Sequence, residues 1–198
     1  MKKDILIIYS NGARGDFLNS ILIGDKLTRS YESLQILNGG NDSRVPLKKM
    51  HRFGDSYQCS IQNIDDLKNY CTVRITVDNI KDAYLIACME FYKHAVVEKQ
   101  PRVVELFALD FDYQIRKLQD KAQLVWEIEL QYREIDQYID HRIPFWDLFN
   151  VIKIDNFYHQ IYNERLSAEE KDRIQYNIDI NLVLIEQLRI TYMVDTQS

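Results

Sequence analysis

The chain has 198 residues, enough for one domain with a full hydrophobic core. Hydrophobic residues make up 46% and charged residues 28%, with only six glycines and three prolines, which excludes disorder and a loop-rich β-sandwich. The net charge of −5 excludes general nucleic-acid binding, which needs a cationic face, and leaves room only for a local basic pocket.

The first predicted strand, Ile5 to Tyr9, is nearly continuously apolar, as expected of a parallel strand covered on both faces. It runs into Gly12-Ala13-Arg14-Gly15, and an amphipathic helix with Phe17, Leu18, Ile21 and Leu22 begins at once. A second extended run, Val45 to His51, follows the turn-rich Asn38-Gly39-Gly40-Asn41-Asp42. A third, Cys71 to Val77, is rich in β-branched residues. From Ile80, apolar residues recur at Ala83, Tyr84, Ala87, Cys88 and Phe91, the spacing of one helical face. Val103, Val104, Phe107, Phe111, Ile115 and Leu118 continue the pattern in a second helix, with Pro101 near its start. Leu124 to Tyr138 reads as a third, densely charged helix, and Val151 to Asp155 as a fourth strand. Ser167-Ala-Glu-Glu170 is a capping box opening a last helix that runs to about Met193. This alternation predicts an α/β fold: a short central parallel sheet flanked by helices, one domain over residues 1–198, with a helical insertion from about 79 to 140.

Cys59, Cys71 and Cys88 are an odd number at wide spacing without a CxxC, so neither a disulfide framework nor a zinc motif is expected. His94, His141 and His159 share no metal-ligand spacing either. No apolar run approaches the ~20 residues that span a bilayer, and the N-terminal apolar run is too short for a signal peptide. Reduced thiols in a cytoplasmic protein without membrane or nucleic-acid partners are the expectation.

Three segments carry chemistry. A strand, a glycine loop with one basic residue and a helix present backbone N–H groups and a helix N-terminus to a phosphate. The loop lacks the Lys-Ser/Thr pair of a magnesium-dependent P-loop, and Asp16 stands after Gly15 instead. A phosphate or sulfate held by Arg14 without a metal suits it; so does a plain β–α turn with Asp16 as N-cap. In the second segment Lys49 and His51 lie two apart on a predicted strand and share a face. At the strand's carboxyl end they would overlook the ligand crevice of an open α/β sheet; otherwise they form a solvated basic strand end. His51 suits a base and Lys49 a holder of charge developing on oxygen. In the third, strand, polar turn and helix over residues 72–93 give another helix N-terminus, with Asp78 as the natural N-cap.

Together these segments resemble the sulfotransferase family, which moves a sulfonate from 3′-phosphoadenylyl sulfate (PAPS) to a hydroxyl or amine. Gly12-Ala13-Arg14-Gly15 is similar to its 5′-phosphosulfate loop, Lys49-Met50-His51 to its Lys-x-His strand, and Asp78-Asn79-Ile80-Lys81-Asp82 to its 3′-phosphate element. The run VIKIDNFYHQIY, residues 151–162, is similar to its return strand and following helix. The resemblance implies a P-loop-like fold with PAPS as cofactor and no metal. It assigns Gly12, Ala13, Arg14, Gly15, Asp16 and Lys81 to the donor, His51 to the acceptor's proton and Lys49 to the leaving oxygen. The family's arginine in the third element falls on Asp78 and its serine near Ile86, so both 3′-phosphate ligands are lost. Two functions follow: sulfonate transfer to a small-molecule or biopolymer acceptor, or a non-catalytic protein-binding role on a degenerate scaffold of this type. The resemblance also extends to small stand-alone relatives of the kind found in bacteriophages. A P-loop kinase is weaker, because the loop lacks its lysine and hydroxyl.

Overall fold

Four short parallel strands lie in the order β2-β1-β3-β4: β1 Ile5–Ile8, β2 Lys48–Met50, β3 Cys71–Thr76 and β4 His141–Pro144. A computed structural model describes residues 5–10, 12–22, 48–50, 64–97, 99, 101–107 and 110–192. Among the described residues the α-helices are α1 (Gly15–Leu22), α2 (Ile80–Tyr92), α3 (Pro101–Phe107), α4 (Phe111–Arg133), α5 (Val151–Tyr162) and α6 (Ala168–Tyr192). The fold is mixed α/β, mostly helical, with a small parallel sheet flanked by helices. No helix among the described residues is long and apolar enough to cross a membrane.

β1 is buried at every residue because both faces of the sheet are covered. Ile5, Ile7 and Tyr9 join Val73, Ile75, Val77 and Ile143 in the larger core, under α1, α2, α5 and α6, with Leu118 and Val125 of α4. Leu6 and Ile8 face a smaller core of Leu67, Ile128, Tyr132 and Ile135, supplied largely by the second half of α4.

That smaller face also carries Arg74, wholly buried in the middle of β3. Its guanidinium meets Glu129 of α4 at 2.8 Å and Asp136 at 2.6 Å. The start of β3 is clasped to the start of β4: Thr72 N–H donates to Asp140 at 2.8 Å, and Asp140 N–H donates to the Thr72 hydroxyl at 2.9 Å.

Several expected boundaries move. Val151–Asp155 is not a strand but the first turns of α5. Asn150 accepts hydrogen bonds from Ile152 N–H at 3.0 Å and Lys153 N–H at 3.2 Å, a helix cap, and Ile154 and Phe157 then bury at helical spacing. The fourth strand is instead His141–Pro144, so this part of the resemblance fails as well. The expected second helix divides at Asp110, whose side chain accepts from Tyr113 N–H at 2.9 Å and starts α4. α4 absorbs most of the expected third helix and ends at Arg133. The Ser167 capping box forms as read, with Ser167 N–H to Glu170 at 2.7 Å and Glu170 N–H to the Ser167 hydroxyl at 3.2 Å.

Removing one partner from a buried ion pair strands the other charge, a loss of about 3–5 kcal/mol. Arg74→Met is therefore expected to cost that much in urea unfolding. Arg74→Met with Glu129→Leu should recover most of it; a double variant no more stable than the single would refute the assignment.

Candidate functional site

In a sheet of order β2-β1-β3-β4 the neighbouring strands β1 and β3 are followed in sequence by strands on opposite edges, and the carboxyl ends of such a strand pair are where open α/β sheets bind ligands. The Gly12–Gly15 turn and residues 77–79 lie at those two ends. The candidate site is therefore built by the β1–α1 turn and the β3–α2 turn.

The β1–α1 turn is closed by Ala13 N–H donating to Ser10 C=O at 2.9 Å. Gly12 has φ +85°, which a side chain disfavours, and a Cβ there would meet Ile86 at 3.0 Å. Gly15 packs on the Tyr9 ring so closely that a Cβ would lie 2.2 Å from its atoms. Both glycines are thus fixed by local packing.

Arg14 follows with φ 63°, a left-handed conformation that costs a non-glycine residue about 1–2 kcal/mol. Its side chain runs into the core and is 2% exposed. The guanidinium lies 4.0 Å from the Phe17 ring centroid and 4.5 Å from that of Phe149, and Nη2 donates to Asn177 at 2.8 Å. Nε and Nη1 have no hydrogen-bond partner among the described residues. Burial pushes its pKa down to about 9, so it is still a cation at neutral pH. The resemblance placed this side chain on a sulfonate; its contacts are two aromatic rings and an asparagine.

Asp16 lies inside the first turn of α1 rather than capping it. Its carboxylate accepts a hydrogen bond from the Tyr9 hydroxyl, whose pKa is raised by burial and then by the Asp16 charge. Lys49 lies on β2 opposite Ile7 of β1. His51 is outside the described residues, as are Cys59 and residues 45–47 of the second extended run, so the Lys49–His51 pairing is not described.

At the second turn Asn79, not Asp78, caps α2, accepting from Asp82 N–H at 3.0 Å. Asp82 itself is buried and accepts from the Trp146 indole at 2.8 Å. Lys81 and Asp78 are exposed. Arg133 of α4 donates to the Val77 and Asp78 carbonyls at 3.1 and 3.3 Å. The carboxyl end of β3 is thus occupied by the protein's own arginine, and the first turn of α2 by its own carboxylate.

Sequence reasoning missed one group beside the first turn. Glu90 of α2 is buried, and its Cβ lies 3.4 Å from where a Cβ on Gly12 would be. It meets Lys121 Nζ at 3.0 Å and His94 Nε2 at 3.4 Å. Burial pushes its carboxyl up, but His94 and Lys121 outweigh burial and hold it below the usual range. His94 stands in a π-helical turn, Lys93–Val97, a geometry frequent at functional sites. The Glu90–His94 spacing of four was the available signal; Lys121 had none, being brought in by α4.

Among the described residues, no group of three His, Cys, Asp or Glu side chains is placed to hold a metal ion. Comparison with known proteins adds no relative: no family model, no curated protein and no solved structure matches the chain. The class defined by the fold is a small-sheet α/β protein with a glycine turn after its first strand.

Gly15→Ala is expected to destabilise the protein by at least the 1–3 kcal/mol typical of overpacking, read by urea unfolding. Combined with Tyr9→Leu the cost should fall below the sum of the two single changes. Strict additivity would show that Tyr9 is not what confines Gly15.

Proposed function

We propose that the chain is a non-catalytic binding protein on a degenerate scaffold of the sulfotransferase type, acting in the cytoplasm. The observation that carries this reading is the Arg14 side chain, turned into the core against Phe17, Phe149 and Asn177. A loop that grips a phosphosulfate needs its cation facing the crevice. Here the cation is buried in the core, Asp16 is engaged by Tyr9, and the Glu90 carboxylate beside the turn is held by Lys121 and His94. At the second turn, the element the resemblance assigns to the 3′-phosphate, the Asp82 carboxylate stands in the first turn of α2 and is engaged by Trp146.

Adenosine 3′,5′-bisphosphate is the direct probe. A bound ligand raises stability by RT ln(1 + [L]/Kd), about 2.7 kcal/mol at a hundredfold excess over Kd. No thermal shift is expected at millimolar ligand. A saturable shift would overturn the binding-protein reading in favour of PAPS-dependent transfer, with His51 as base and Lys49 on the leaving oxygen.

A second measurement concerns Arg14 alone. Moving its pKa to about 9 corresponds to roughly 5 kcal/mol of lost charge solvation, against about 2 kcal/mol regained from desolvated cation–π contact. Arg14→Met is therefore expected to be at least as stable as the natural protein at pH 7. The folded state binds its proton less tightly than the unfolded state, so the natural protein gains stability relative to Arg14→Met as pH rises past 9. The difference between the two should narrow from pH 8 to pH 11 in urea unfolding; a difference independent of pH would contradict the burial assigned to Arg14.

A further inference from the structure

α6 carries apolar residues on two opposite faces. Ile174, Ile178, Ile185, Leu188 and Tyr192 are buried against the larger core. On the reverse side Tyr176, Val183 and Ile190 follow one another at intervals of seven and are 48%, 62% and 62% exposed. At about 100° per residue this outer stripe points directly away from the buried face. Asp172, Asp179 and Glu186, all exposed, stand four residues ahead of Tyr176, Val183 and Ile190. An acid and an apolar residue thus alternate along one outer seam in three successive heptads.

The basic residues of α6 are turned elsewhere. Lys171 pairs with Asp155 at 3.2 Å, Arg173 pairs with Glu169, and Arg189 lies 5.0 Å over the Trp146 ring. Asp172, Asp179 and Glu186 have no ion-pair partner among the described residues. The seam has the spacing of a coiled-coil interface with one of its two positions apolar and the other acidic. A second copy in parallel would set acid against acid, and in antiparallel would set acid against apolar side chains. An anionic lipid surface is repelled by the same row.

We propose that the outer face of α6 docks a basic amphipathic helix of a partner protein. Its apolar residues would meet Tyr176, Val183 and Ile190, and its Lys or Arg residues would meet Asp172, Asp179 and Glu186. Basic side chains match this seam twice, since their aliphatic stems cover the apolar stripe while their heads reach the carboxylates. The surface goes beyond the function proposed above and does not depend on it. The nucleotide titration reads the β1–α1 turn, whereas the test below reads α6.

The probe is a pair of three-heptad labelled peptides, one with Leu and Lys at the seam positions and one with Leu and Glu, titrated into the full chain by fluorescence anisotropy. The Lys peptide should bind and weaken about tenfold on raising salt to roughly 0.5 M. Val183→Asp with Ile190→Asp, both exposed, should abolish binding without changing Tm. Reversing Asp172, Asp179 and Glu186 to Lys should transfer binding to the Glu peptide. The same charge change at Asp112, Asp120 and Glu127 of α4 should leave binding of the Lys peptide intact. Equal binding of both peptides, or equal loss from the α4 and α6 reversals, would overturn the proposal as nonspecific attraction. So would self-association in sedimentation that Val183→Asp removes, since the seam would then belong to a second copy.

Discussion

The buried ion pairs of Arg74 with Glu129 and Asp136 hold together the part of the molecule with least apolar surface to spare. The larger core has strands and five helices to close it, whereas the smaller face has Leu6, Ile8 and a few partners. A guanidinium in the middle of a covered strand can exist only where carboxylates meet it, and α4 supplies Glu129 at that position. The pair therefore fixes where α4 lies along the sheet. That placement brings Lys121 to Glu90 and Arg133 to the end of β3. The contents of the candidate crevice depend on a charge buried on the opposite side of the sheet.

The two turns at that crevice share a chemical character. Each has the backbone outline of an anion site, a strand running through a short turn into a helix. In each, a carboxylate of the protein lies in the first turn of the following helix and is engaged by an aromatic donor: Asp16 by Tyr9 at the first, Asp82 by Trp146 at the second.

Local patterns were legible where one short segment decides the outcome. β1 was clear because a continuous apolar run must be covered on both faces, and α6 was clear at its start because Ser167 and Glu170 cap each other within one turn. The segment at 151–155 misled because its alternation of β-branched residues is brief, and Asn150 with the later Phe157 weighs more. β4 carried no signal, since His141 and Arg142 precede its single core residue, Ile143, and pairing with β3 defines it. At the site, the glycines and Arg14 were readable as a turn, but the direction of Arg14 was not. It is set by Phe149 and by Asn177, 163 residues away in the chain. Charge-bearing residues are visible in a sequence; what they face is decided by elements that arrive from elsewhere.

The reciprocal clasp between Thr72 and Asp140 has a kinetic consequence. It joins residues 68 positions apart, and most of the described residues between them are helical. A parallel strand pair cannot form until its crossover is compact, because the closure entropy of so long a loop is recovered only when both ends dock. Helices α2 and α4 shorten that closure when they form, and the clasp pins the β3–β4 register at the start of β4. The sheet, small as it is, ends on a strand whose own sequence scarcely favours the conformation it adopts, so its edge depends on the compactness of the helices between.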